Sequence, residues 1–175
     1  LNTGTILHRR QVFSTFLPQT IQKIRDGSLQ EDVLNTIARE AWQDSVDAAN
    51  AFCEPGEFTT FVAYEYTATA EDNGSLHRNV IFESSDRVPE VPFSRMHSLN
   101  AEDLWDWMDT LRTVGVETLA IPHNSNKSNG HMFKLVDWAG DPIDDEYAVQ
   151  RIRNEPLVEL TQIKGTSETH PAFDA

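Results

Sequence analysis

Three segments of the chain end in residues that bind cations. Ala120-Ile-Pro-His-Asn-Ser-Asn-Lys-Ser-Asn-Gly130 is an apolar run that stops at an imidazole, His123, followed by a dense patch of amides and hydroxyls. Phe58-Thr-Thr-Phe-Val-Ala-Tyr-Glu65 ends in a carboxylate in the same way, and Ser75-Leu-His-Arg-Asn79 sets His77 beside Arg78. Glu159, inside a further apolar run, is a fourth candidate ligand. Neutral imidazole offers nitrogen, and carboxylate offers oxygen, negative charge and a second oxygen able to bridge two ions, so a divalent cation suits this set. Such an ion lowers the pKa of a bound water enough to give a nucleophile at neutral pH. Arg78 and Lys127 are the candidate catalytic cations for an anionic substrate, Arg being the better match to phosphate oxygens. Asn124, Asn126 and Ser128 are the candidate substrate-binding side chains.

Each residue also has a purely structural reading. A single histidine at a strand end is more often a satisfied structural group than a ligand. Glu65 has a competing role as the partner of Arg78. Asn124, Asn126, Ser128 and Asn129 suit turn chemistry, because Asn and Ser bond to nearby backbone in tight loops. Trp105 and Trp107 read as core and rim of an amphipathic helix, and His8, His97 and His131 lack ligand-like context. Asn73-Gly-Ser75 and Asn126-Lys-Ser128 fit the glycosylation pattern, which is too short to carry weight.

The elements that must position these residues alternate. Apolar groups at Val33, Ile37, Ala41 and Ala48 have helical spacing across 28–52, and Glu54-Pro-Gly-Glu57 breaks that helix. Residues 58–66 read as a buried strand, 70–75 as a turn and 79–82 as a second strand. Asn100 is placed to cap a helix over 101–112, with Glu102 and Asp103 in the first turn where the helix dipole favours negative charge. Gly115 stops it. Residues 117–122 are expected as a strand, 143–154 as a helix and 156–163 as another strand. Strands alternating with helices predict an α/β fold with a mainly parallel sheet or barrel, in which working residues gather where strands end.

Composition narrows the partners. A chain of 175 residues with 39% hydrophobic content suits one domain, 1–175. The net charge of −14, with Lys and Arg scattered, argues against a nucleic-acid partner. The single Cys53 excludes an intramolecular disulfide and a cysteine-rich zinc site, leaving His and carboxylates as ligands. No apolar run approaches the roughly 20 residues that span a bilayer. The chain begins at Leu1 and is read as an internal segment of a longer protein.

Five motifs occur in a specific order: Phe58-Thr-Thr-Phe-Val-Ala-Tyr-Glu-Tyr-Thr67, Leu76-His-Arg-Asn-Val-Ile-Phe82, Leu104-Trp-Asp-Trp-Met108, Ile121 to Gly130, and Glu155-Pro-Leu-Val-Glu-Leu-Thr-Gln-Ile-Lys-Gly-Thr-Ser-Glu-Thr-His-Pro171. From about Trp42 to the C-terminus the chain resembles the bacterial family known as domain of unknown function 3604. That family is itself similar to the PHP (polymerase and histidinol phosphatase) superfamily. The resemblance implies part of a distorted (β/α) barrel and two or three divalent ions, Zn, Mn or Fe. Glu65 resembles the superfamily's bridging glutamate, His77 the histidine that follows it, and His123 the histidine of the strand-end His-Pro or His-Asn motif. Glu159 resembles a Val-Glu position with a less regular metal role, and His170 belongs to the family's own Ser-Glu-Thr-His-Pro motif. The superfamily's His-x-His and Asp-x-His motifs are absent, and are expected outside this segment.

The expected function is therefore a metal-dependent hydrolase, phosphoesterase-like, acting on a small anionic substrate. Sulfate-ester or amide hydrolysis is a second option within that class. The alternative class is a catalytically silent module that binds a ligand or partner at 124–130. A segment of a barrel has exposed sheet edges, through which a homo-oligomer would form. Family members often look exported, which points to the periplasm for the full-length protein.

Overall fold

The computed structural model describes residues 5–25, 27, 28, 31–163 and 165–167. The chain divides into two compact units, 1–43 and 44–175. The first contains α1 (Ile6–Arg25) and most of α2 (Glu31–Ala51), which continues into the second. Helix α2 follows the expected apolar spacing. Helix α1 has no counterpart in the sequence reading, although Val12, Phe13, Phe16, Leu17, Ile21 and Ile24 recur at helical spacing; Pro18 lies within it. No helix among the described residues is long and apolar enough to cross a membrane.

The second unit is built on a sheet of order β1-β2-β3: β1 (Ala63–Tyr66), β2 (Arg78–Phe82) and β3 (Thr118–Pro122). Both pairings are antiparallel, with Tyr66 opposite Arg78 and Arg78 opposite Pro122. This corrects the expected mainly parallel PHP-like barrel. Among the described residues there is no parallel pairing and no closed barrel, only this sheet and a two-stranded hairpin. Parallel neighbours need a long crossover, usually helical, but β1 reaches β2 through a helix-free loop over 67–77.

One sheet face makes the core. Tyr66, Val80, Phe82 and Ala120 are almost fully buried, as are Leu104, Trp105 and Met108 of α3 (Ala101–Thr113). Large side chains buried this deeply contribute about 1.5–3 kcal/mol each. Trp105 lies in the core and Trp107 is half-buried, its ring meeting Phe82 edge-on at 6.4 Å. Asn100 caps α3 as expected, its side chain accepting from Glu102 N at 2.9 Å. Helix α3 is tied to α4 (Asp145–Asn154) by Asp109, which accepts from Arg153 and, at 3.2 Å, from Asn154 Nδ2.

The strand expected over 156–163 is reduced to β4 (Thr161–Gln162), which pairs with β5 (Gly165–Thr166). The apolar residues that suggested a buried strand, Leu157, Val158 and Leu160, are exposed.

Candidate metal centre

Antiparallel pairing brings the end of β1, the start of β2 and the end of β3 to one edge of the sheet. Side chains alternate between faces along a strand, and residues paired across strands share a face. Glu65 pairs with Asn79, and Asn79 with Ile121. His77 and His123 lie two positions further along on the same side, held together by His123 N donating to His77 O at 3.2 Å. All three therefore project from the half-exposed face, away from the core.

They converge there. His77 Nδ1 is 3.1 Å from Glu65 Oε1, and His123 Nε2 is 3.6 Å from Glu65 Oε2. The imidazoles meet edge to face, with ring centroids 6.0 Å apart. One potential ligand atom from each residue lies within 4.8 Å of the others. Two ligands each about 2.1 Å from one tetrahedral ion stand about 3.4 Å apart, close to each of the two carboxylate–imidazole separations, which are made by different oxygens of Glu65. Burial is graded: the Glu65 side chain is 44% exposed, His77 22% and His123 7%. His123 Nδ1 is buried with no hydrogen-bond partner among the described residues. Its other nitrogen faces Glu65 at 3.6 Å, beyond hydrogen-bond distance.

Arg78 does not face this group. As the residue next to His77 it projects to the opposite side, where its side chain is 3% exposed. Its Nε donates to the buried carboxylate of Glu155, and its Nη1 donates to Leu76 O at 2.5 Å. Trp105 Nε1 donates to the same carboxylate at 2.9 Å, and Arg151 Nε lies 3.3 Å from its other oxygen. The role expected for Arg78 at an anionic substrate is thus replaced by a structural one, and so is its alternative as the partner of Glu65. Glu155 was missed as a partner because nothing in its local sequence marks a residue that pairs 77 positions away.

The polar loop after His123 is largely occupied. Asn124 is buried in a left-handed conformation (φ 64°) that Asn tolerates, and its Oδ1 accepts from Gln162 Nε2 at 3.2 Å. Asn126 Nδ2 donates to Thr166 O at 2.7 Å, and Ser125 Oγ to Ser167 O at 2.6 Å. Ser128, also buried, donates to Ser125 O at 2.7 Å. The bonds of Asn124, Asn126 and Ser125 fasten the segment 162–167 beside His123 across 38 to 42 residues, and only the Ser128 bond is local turn chemistry. Lys127 is exposed on the 3-10 turn Ser125–Lys127. Glu159 donates its backbone N–H to Pro122 O at 3.0 Å, so it runs beside the residue preceding His123, but its carboxylate is not one of the clustered donors. His170 lies outside the described residues.

His131 and His97 have ordinary partners. His131 Nε2 is 2.9 Å from Asp72 Oδ2. That contact, with the Gly74 N–H on the other oxygen, pulls the Asp72 carboxyl down to about 2. His97 stacks on Phe93 and accepts from Ser94 N at 3.0 Å.

No curated protein matches the chain, and no solved structure does. One family model, Protein of unknown function (DUF3604), matches residues 2–175, and the chain belongs to that family.

Proposed function

We propose that Glu65, His77 and His123 hold a divalent ion, Zn, Mn or Fe, and that the protein is a metal-dependent hydrolase of a small anionic ester, phosphate esters being the leading class. The observation that supports this is the meeting of one carboxylate and two imidazoles from three strands on a half-open sheet face. When bound, the ion supplies a Lewis acid and lowers the pKa of water. Three protein donors are the usual complement of a catalytic site that keeps a position open. Glu65 provides the charge that neutralises part of the ion's, and the imidazoles fix its place. Lys127, exposed four residues after His123, is the candidate cation for an anionic substrate among the described residues, since Arg78 is held by Glu155. The likeness of the Glu65, His77 and His123 motifs to those of the PHP superfamily supports the same reading. In it, the chain belongs to a longer protein that also carries the superfamily's remaining metal motifs.

Calorimetric titration with Mn²⁺ and Zn²⁺, with hydrolysis of an aryl phosphate assayed in parallel, tests the proposal. Metal binding that is lost in His123→Ala, and activity that depends on metal and falls in Lys127→Ala, is the expected result. Absence of binding, or phosphatase activity unchanged by His123→Ala, removes it.

A further inference from the structure

Glu65 has one more neighbour than the two imidazoles. Thr67 Oγ1 donates to Glu65 Oε1 at 2.6 Å, the same oxygen that faces His77. Residues 65 and 67 flank Tyr66 in extended chain and so project to one side. The Glu65 side chain is the most exposed of the three ligands, and an exposed glutamate samples several rotamers that must be given up when it captures an ion. Thr67 is half-buried and β-branched, which makes it a stiff donor. Its hydrogen bond anchors Oε1 and leaves Oε2 turned toward His123 Nε2.

We propose that Thr67 is a positioning residue of the metal centre, holding the Glu65 carboxylate in the orientation that an ion shared with His77 and His123 requires. This rests on the metal reading of the site. Groups that hydrogen-bond to a ligating side chain fix its orientation, and their loss typically weakens metal binding about 10–100-fold. Thr67→Val keeps the shape and the β-branch but removes the donor, whereas Thr67→Ser keeps the donor and removes a methyl.

The experiment is calorimetric titration of the whole chain with Mn²⁺, comparing the parent, Thr67→Val and Thr67→Ser, with metal-free thermal melts as the control for folding. The expected result is an affinity about 10–100-fold weaker in Thr67→Val, recovered in Thr67→Ser, with metal-free melting little changed. If Thr67→Val fails to fold, Thr67→Ala carries the same expectation. Equal affinity in the parent and Thr67→Val overturns the positioning role while leaving the metal site intact. So does equal weakening in Thr67→Val and Thr67→Ser, because affinity would then not follow the presence of the hydroxyl donor. A parent chain that binds no Mn²⁺ overturns the metal reading itself, and the positioning role with it.

Discussion

Side-chain direction decides what each residue can do. His77 and Arg78 are neighbours in sequence, but strand alternation sends the imidazole to the half-open face and the guanidinium into the core. The sequence made Glu65 and His123 visible because each stands where an apolar run ends, and His77 because it stands at the start of one, beside Arg78. It made Arg78 look like a substrate contact because a guanidinium beside an imidazole gives no indication of which face it occupies. The Asp72–His131 pair, two strand-flanking turns brought together, yields a pH dependence. The folded Asp72 carboxyl is depressed, mainly by His131, from its ordinary value to about 2. A depressed carboxylate contributes stability that is fully present above its unfolded pKa, near 3.9, and is lost as pH falls through the folded value. Denaturant melts between about pH 5 and pH 2 should show the parent losing stability that Asp72→Asn does not lose. Parallel losses in both proteins would show that the pair has no such linkage.

At the scale of elements, the site is a product of strand direction. With β2 antiparallel to both neighbours, two strands end where the third begins, so three segments far apart in the chain deliver ligands to one edge. Helix α2 was legible from apolar spacing and α3 from the cap at Asn100, and the helix expected over 143–154 is α4, which the side chain of Asp144 caps. Strand direction was misread because alternation of strands and helices was allowed to outweigh the turn-rich 70–75 segment, which joins β1 to β2 without a helix and favours antiparallel pairing. On the core side, the Arg78–Glu155–Arg151 cluster pins the start of β2 to the end of α4. Removing one partner of a buried ion pair leaves the other charge uncompensated, at a cost of about 3–5 kcal/mol. Glu155→Gln should therefore lower the unfolding free energy by an amount in that range, seen as a lower denaturant midpoint, although it lies on the opposite face from the ligands. A midpoint within error of the parent would show that Arg78 finds another acceptor.

For the whole molecule, the sheet has two unlike faces. One is sealed by α3, and the other carries Glu65, His77 and His123 with Asn79, Ile81, Leu119 and Ile121 only half covered. The acidic composition argued against a nucleic-acid backbone as the expected partner, but composition says nothing of which face stays open. That depends on contacts such as Trp105 with Glu155, 50 residues apart, which local patterns do not encode. The central claim is that this open face gathers one cation from three distant segments. Anomalous diffraction from a crystal of the protein grown with Mn²⁺ or Zn²⁺ tests it most directly. The account predicts a peak within about 2.0–2.3 Å of ligand atoms of Glu65, His77 and His123 together. A metal-soaked crystal with no anomalous peak there, or with the ion bound elsewhere and these three side chains turned apart, would contradict it.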